Sequence, residues 1–192
     1  MGGIFSVRIC GTFVCLGLFF DAVGSGDYSA WNAWYAAFLK ESDEAVMILL
    51  GQDFSGRNFS GANMRNFDLT GSVFSGAVLA DADLCGATVD EADFSGAVLS
   101  SANLSGSFAA YADFQDADLS FANLSGGDFS GASFRSARMY RCYAQRAVFT
   151  DADFSGADLS GTYARLAECA GADFSGAVLT GSLFPEENTI LK

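Results

Sequence analysis

Histidine is absent from all 192 residues of this chain. Its absence removes the commonest general base and the commonest metal ligand of proteins. Lysine is almost absent, since it occurs only at Lys40 and Lys192, so the abundant serines have little chance of a Ser–Lys pair. We therefore expect no enzyme, no metal site and no other cofactor.

Positive charge is also scarce, and the formal net charge is −13. Direct binding of nucleic acid is not expected, because neutralising phosphates requires a basic surface. An acidic chain of this kind favours solubility and a partner protein with a basic surface. The five cysteines form no CxxC pair, so their scattered spacing predicts neither a disulfide framework nor a zinc site: Cys10, Cys15, Cys85, Cys142 and Cys169.

A five-residue repeat accounts for most of the chain. Residues 52–186 divide into 27 consecutive units without an insertion, and ADFSG is a typical unit. The third position is Phe, Leu, Met or Val in 23 of the 27 units, and the first is Ala in 18. In extended backbone alternate side chains point the same way, so the first and third positions are predicted to face inward. The fifth position is rich in Gly, Asp, Asn and Ser, which suit a corner with positive φ.

The third positions reveal a longer period of 20 residues. Beginning at Phe54, every twentieth residue up to Phe174 is Phe, seven out of seven, whereas the other 20 units have only four Phe at this position. The chain is thus predicted to return to the same face after four units. The 27 units then form about 6.75 coils with a spacing of ~4.8 Å.

These units resemble those of the pentapeptide-repeat family, over 135 of the 192 residues. The resemblance implies an all-β solenoid, a right-handed quadrilateral β-helix over residues 52–186, acting as a rigid protein-interaction scaffold without enzymatic activity. Some members instead mimic DNA and inhibit or protect DNA gyrase or another type II topoisomerase, through an acidic rod that dimerises by a C-terminal helix. This sequence shares the acidity, but it has an arginine-rich section and too short a tail for such a helix.

The ends of the solenoid need covers, because stacked repeats are stable only against neighbours. Residues 27–51 are predicted to form an N-terminal cap with a short helix that begins at a capping Ser29. Its aromatic residues fall on one face, at the spacing of a buried stripe: Trp31, Trp34, Tyr35 and Phe38. The C-terminal tail, residues 187–192, is too short to cover the last coil, and an exposed end would allow a homodimer.

Residues 1–26 allow three interpretations. Arg8 precedes an apolar run over residues 9–20, as in an export signal. The opening MGGIFS instead matches a myristoylation pattern, so this segment could be a lipid anchor. It could also be an ordinary capping segment. We favour an exported or lumenal protein over a cytoplasmic one, with membrane attachment only if residues 1–26 anchor it.

Two sets of outward residues are candidate interaction sites. The first is a ladder of second-position carboxylates, which either mimic a phosphate strand or accept hydrogen bonds from nearby backbone amides: Asp53, Asp93, Asp113, Asp153 and Asp173. The second is an arginine–tyrosine belt, which is either a binding hot spot or a solvated basic band: Arg135, Arg138, Tyr140, Arg141, Tyr143, Arg146, Tyr163 and Arg165.

Overall fold

The computed structural model describes residues 14–41 and 47–185. Two helices, α1 (Val14–Ser25) and α2 (Ser29–Glu41), precede the repeats. The predicted tail at residues 187–192 and the first 13 residues of the predicted signal or anchor segment lie outside the described residues.

Beyond the helices, the backbone pairs through parallel bridges between residues 20 positions apart, from Ile48–Asp68 to Tyr163–Leu183. Within the described residues each bridge is isolated, so the repeats form single-residue contacts between tight turns and no extended strand. The bridges form four columns, which we number by their members in the first coil: Asp53 (column 1), Asn58 (column 2), residue 63 (column 3) and residue 68 (column 4). A coil is one 20-residue section, and the first coil begins at residue 52.

The hydrogen bonds of one unit explain its sequence. The first-position amide donates to a backbone carbonyl of the unit before it, and the second-position amide to a carbonyl of the coil before. The third- and fifth-position amides donate to carbonyls of the coil after. Phe94 N–H, for example, donates to Asp113 O at 2.7 Å. The fourth-position amide has no such backbone partner and donates to the Asp or Asn side chain at the second position, as Ser95 does to Asp93 Oδ1 at 2.8 Å. A second-position Asp or Asn thus completes the pairing of the backbone.

The fifth position turns each corner with a positive φ, as predicted from its residue types. This holds for glycines and also for twelve other residues, among them Asn66 with a φ of 57°. At Gly131 the absence of a side chain also makes room, because a Cβ there would lie 2.6 Å from the ring of Tyr111.

The core consists of the first- and third-position side chains, and the phenylalanine column is its spine. Phe94 and Phe134 both stack on Phe114 with ring centroids 5.0 Å away and interplanar angles of 2° and 3°. Phe129 of column 4 packs edge-on against Phe114, and Gly127 makes room for it, since a Cβ there would lie 2.6 Å from that ring. Every one of these rings is fully buried.

The N-terminal cap replaces the coil that would otherwise precede the first one. Three aromatic side chains each donate at 2.7 Å to a backbone carbonyl of the first coil: Tyr28 to Asn58, Trp31 to Asn63, and Tyr35 to Arg65. Asn32 donates to Gly61 O and accepts from the Asn63 amide, also at 2.7 Å. The predicted aromatic helix is therefore present, and its polar atoms satisfy an otherwise unpaired edge of the solenoid.

The residue that caps α2 was predicted wrongly. Ser29 is the first residue of the helix, and its amide donates to Asp27 Oδ1 at 2.9 Å. Hydrogen bonds from Ser29 lower the pKa of Asp27. Asp27 is the acceptor because its carboxylate reaches an amide two residues on, in the same way as the second-position carboxylates of the repeats.

Helix α1 packs against the aromatic residues of α2, as in the interpretation of residues 1–26 as an ordinary capping segment. Phe19 is fully buried, and its ring centroid lies 5.0 Å from that of Trp31 and 5.5 Å from that of Phe67. Of the described helices, none is long and apolar enough to cross a membrane. Cleavage or lipidation of residues 1–26 stays a prediction.

Candidate functional site

The eight residues of the predicted arginine–tyrosine belt do not share one surface. Arg135 is in a column 1 unit, Arg138 and Tyr140 are in a column 2 unit, and Arg141 is at the corner between columns 2 and 3. The remaining four lie on column 3 or at its far corner: Tyr143, Arg146, Tyr163 and Arg165.

Two of the belt arginines interact with carboxylates of the same side of the solenoid. Arg135 Nη1 lies 3.3 Å from Asp153 Oδ2, a member of the predicted acidic ladder. Partial burial acts to raise the pKa of Asp153. Hydrogen bonds from Ser155 and the Arg135 guanidinium outweigh it and hold this pKa below its usual value. Hydrogen bonds from Ser160 and, more weakly, the charge of Arg138 do the same for the pKa of Asp158.

The column 3 surface is different, because it has arginines and no acids. Residues 121–126, 141–146 and 161–166, which cross column 3 in three successive coils, contain no Asp or Glu. We define the column 3 surface by its large side chains: Phe121, Arg141, Tyr143, Arg146, Tyr163, Arg165 and Leu166. Phe121 is 48% exposed, Tyr143 53% and Leu166 69%, so apolar area lies in the open beside positive charge.

Four residues of the column 3 surface occupy corners that suit glycine. Of the twelve non-glycine residues with positive φ in the solenoid, six are neither Asn, Asp nor Ser, and four of these six flank column 3. They are Phe121 (φ 62°), Arg141 (53°), Arg146 (56°) and Leu166 (61°). An L side chain in this region costs roughly 1–2 kcal/mol. The sequence therefore keeps large exposed side chains here at a cost in stability.

Ring contacts orient two of the arginines. The Arg165 guanidinium carbon lies 5.9 Å from the centroid of Tyr163, and that of Arg141 lies 5.2 Å from the centroid of Tyr140. Phe121 contacts Tyr140 edge-on at 5.6 Å. Among the described residues, neither these two arginines nor Arg146 has an ion pair with a carboxylate. A stacked guanidinium keeps its N–H groups available for an acceptor.

Tyr143 and Tyr163 also leave two backbone donors unpaired. They stand at second positions, where an Asp or Asn accepts the fourth-position amide in fourteen units. Tyrosine cannot do so, and within the described part of the chain the amides of Gln145 and Arg165 have no acceptor. Gln145 and Arg165 are exposed.

A cavity of about 440 Å³ adjoins these donors. The residues that line it come from three coils, and they include Ser125, Gln145, Arg146, Tyr163, Arg165 and Leu166. The residues that carry two guanidiniums, two unpaired amides and an exposed leucine therefore line one cavity. This arrangement suits an acceptor-rich, partly apolar ligand.

Sequence reasoning missed Phe121 and Leu166 as members of this surface. A signal was present, because both are large residues at a fifth position, where the repeat otherwise favours Gly, Asp, Asn or Ser. This signal indicates a functional surface only because φ is positive at the fifth position, where a large side chain costs stability.

The five carboxylates of the acidic ladder have a structural task. Each accepts a hydrogen bond from the amide two residues on, at 2.8–3.0 Å. The ladder is interrupted, because Val73 and Ser133 stand between its members in column 1. Its additional use as a mimic of a phosphate strand stays a prediction.

Two of the described cysteines are shielded in the core. Cys142 and Cys169 are buried, and burial raises the pKa of both thiols, that of Cys169 to about 11. Cys85 is half-buried. Over residues 14–41 and 47–185 no cluster of Cys, Asp or Glu has the arrangement of a metal site.

Solved structures similar to this chain include pentapeptide-repeat proteins. HetL, a pentapeptide-repeat protein involved in heterocyst differentiation regulation in the cyanobacterium Nostoc sp. strain PCC 7120, is 22% identical; the match covers 73% of this chain and 88% of HetL with a TM-score of 0.35. QnrB1, a plasmid-mediated fluoroquinolone resistance protein, is 20% identical over 77% of this chain and 95% of QnrB1, with a TM-score of 0.46. A pentapeptide-repeat protein of the Arabidopsis thaliana thylakoid lumen is 33% identical over 57% of this chain and 66% of its own length, with a TM-score of 0.29.

A search of curated proteins gives no match. The family model described as "Pentapeptide repeats" matches in eight copies, over residues 53–89, 77–108, 112–151 and 145–181. These residues make up more than half of the chain, and the protein belongs to the pentapeptide-repeat family.

Proposed function

We propose that this protein is a non-enzymatic interaction scaffold that binds another protein through the column 3 surface. In this proposal the repeats form a right-handed, four-sided β-helix of about 6.75 coils, a shape supported by the bridges between residues 20 positions apart. The rigid solenoid holds the binding side chains in place, so that little conformational entropy is lost when the partner binds.

The observation that carries this proposal is the group of large exposed residues at strained corners. Phe121, Arg141, Arg146 and Leu166 have positive φ, although glycine occupies the same corner in other coils, as at Gly126 and Gly161. Backbone strain retained at exposed side chains points to a functional site. Tyr and Arg are also the residue types most enriched at binding hot spots.

The alternative, a DNA mimic that acts on a type II topoisomerase, has less support. A mimic needs a continuous stripe of carboxylates, because its target binds many phosphates. Column 1 is interrupted at Val73 and Ser133, and Arg135 partly neutralises Asp153. The interaction scaffold therefore ranks first.

Removal of two side chains from the column 3 surface tests the proposal. We expect Tyr143→Ala with Arg146→Ala to abolish capture of the partner from an extract of the source organism, measured by quantitative mass spectrometry. The circular-dichroism spectrum should not change, because both side chains are exposed. The matched control is Tyr111→Ala with Arg57→Ala, which removes the same residue types from other surfaces. If both double variants capture the same proteins as the wild type, the column 3 surface is not the binding site.

Leu166→Gly should separate stability from binding. We expect the free energy of unfolding to rise by about 0.5–1 kcal/mol, because glycine relieves the strain at a φ of 61° and the lost side chain is largely exposed. Capture of the partner should weaken at the same time. Chemical denaturation and the same capture assay measure the two effects. A more stable variant with full capture would remove Leu166 from the binding surface.

A further inference from the structure

The hydrogen bond between a second-position carboxyl group and a fourth-position amide indicates which chemical group column 3 can bind. At Asp93 and Asp153 the Oδ1 atom accepts this amide at 2.8 Å. Where Tyr143 and Tyr163 stand instead, the same amide is present but the oxygen is missing. An external carboxylate placed there makes the hydrogen bond that the solenoid makes for itself elsewhere.

Other units also lack the acceptor, but either no arginine or a carboxylate lies in the same unit or one coil away. The unpaired amides of Arg135 and Tyr140 belong to arginine-containing units, and the units one coil before and after these contain aspartates: Asp113, Asp118, Asp153 and Asp158. The units that contain Val73 and Val98 have unpaired fourth-position amides, yet neither these units nor their neighbours one coil away contain an arginine. On column 3 the two residues with unpaired amides, Gln145 and Arg165, line one cavity together with Arg146. Only the combination gives an anion both a directed donor and a counter-charge.

The charge of the whole molecule makes this surface selective. The chain has a formal net charge of −13, whereas residues 121–126, 141–146 and 161–166 contain three arginines and no acid. An acidic partner is repelled by the rest of the molecule and attracted here, which determines where and in which orientation it binds.

From these observations, and resting on the proposed function, we infer that the column 3 surface binds an acidic segment of the partner protein. Its carboxylates take the place of the Asp or Asn that is missing at positions 143 and 163. Apolar side chains between them lie against Phe121, Tyr143 and Leu166, which are about half exposed or more. An extended segment in which acidic and apolar residues alternate carries them in two rows. It makes both contacts when it lies with both rows along the surface, the acidic row at the amides and the apolar row at the exposed rings and Leu166.

Two carboxylates fit this surface better than one phosphate group. The two unpaired amides belong to successive coils, ~4.8 Å apart in the direction of the solenoid axis. A phosphate site instead gathers several successive amides on one anion. The amides on both sides of Gln145 are already used, since Ala144 N–H donates to Tyr163 O at 2.8 Å and Arg146 N–H donates to Arg165 O at 3.0 Å. The amide before Arg165 is also used, since Ala164 N–H donates to Leu183 O at 3.0 Å.

Synthetic peptides of about ten residues test the inference on the full chain by fluorescence anisotropy. One peptide alternates Glu and Leu, and matched peptides replace every Glu by Gln, by Lys or by phosphoserine. We expect the Glu peptide to bind at least ~10-fold more tightly than the Gln peptide, because hydrogen bonds to a charged acceptor are stronger than neutral ones. Arg146→Gln with Arg165→Gln should remove most of this preference.

A pair of double variants isolates the amides from the arginines and from the rings. Tyr143→Asn with Tyr163→Asn supplies the missing internal acceptor without a change of charge, whereas Tyr143→Ala with Tyr163→Ala only removes the rings. We expect the Asn pair to bind the Glu peptide at least ~10-fold more weakly than the wild type, and more weakly than the Ala pair. The Asn pair should also unfold at a temperature no lower than the Ala pair, which shows that weaker binding does not come from misfolding.

Any one of four results would overturn the inference. The Glu and Gln peptides bind equally, or the Glu peptide shows no measurable binding. Alternatively, the Asn and Ala pairs bind the Glu peptide equally, or the phosphoserine peptide binds more tightly than the Glu peptide. The proposed function fails separately. If the column 3 variants lose capture of the cellular partner while the Glu and Gln peptides bind alike, the scaffold function stands and the partner's segment is not acidic. If those variants retain full capture, the scaffold surface itself is wrong.

Discussion

Phe114→Ala is expected to lower the free energy of unfolding by about 3–5 kcal/mol, as the truncation of a buried aromatic side chain does. The ring is fully buried and lies between Phe94 and Phe134, with ring centroids 5.0 Å away on both sides. The stack continues into the coils before and after, so the backbone cannot collapse into the cavity without a shift of several coils. Denaturation by guanidinium chloride, followed by circular dichroism, measures the change.

Ser95→Ala is the matched control for an outward position. Ser95 is half-buried, and its amide keeps the hydrogen bond to Asp93 after the hydroxyl group is removed. We expect a change within about 0.5 kcal/mol. Small and equal losses at both sites would contradict the assignment of inward third positions and outward fourth positions.

Trp31→Ala in the cap is expected to cost about 3–5 kcal/mol in the free energy of unfolding. Trp31 is fully buried, it stacks on Tyr35 with centroids 4.9 Å apart, and its Nε1 donates to Asn63 O at 2.7 Å. In a solenoid each coil is stabilised mainly by its neighbours, so the loss should fall on the coil beneath the cap. Hydrogen exchange should show faster exchange of amides in residues 52–71, with residues 132–151 unchanged.

Two further variants of the cap give a scale for this effect. Trp31→Phe keeps an aromatic ring but removes the indole donor, and should cost about 1–3 kcal/mol because a carbonyl at the solenoid edge loses its partner. Trp34→Ala should cost less than Trp31→Ala, since Trp34 is only partly buried and no hydrogen bond to the first coil involves it in the described part of the chain. If Trp34→Ala costs as much as Trp31→Ala, the cap is not held by the contacts of Trp31.

The repeat, its period and its inward positions could be predicted from the sequence alone. The reason is that each of these properties depends on contacts that recur identically. A third-position side chain such as Phe94 meets the third-position side chains 20 residues before and after it, so one rule applied along the chain describes the whole core. The positive φ of the corners follows in the same way from the residue types at the fifth position.

The cap and the candidate binding surface could be predicted only in part. The aromatic stripe of α2 was visible in the sequence, but the burial of Phe19 depends on how α1 packs against Trp31 and Phe67, residues far from it in the chain. The arginines of the belt were visible as a group. Which of them pair with carboxylates depends on side-chain direction, so that Arg135 meets Asp153 whereas Arg146 meets none among the described residues.

The sequence by itself determined a solenoid of five-residue units, because a strict period leaves one way to bury an inward small residue and an inward large residue in every unit. The tertiary structure decided what each exception to the period does. Tyr143 and Tyr163 are outward residues in the sequence; in the structure they also leave the amides of Gln145 and Arg165 without an acceptor, beside a cavity. The physical reason is that a backbone N–H is unpaired only if no acceptor lies within reach, and the groups around these two amides come from three different coils.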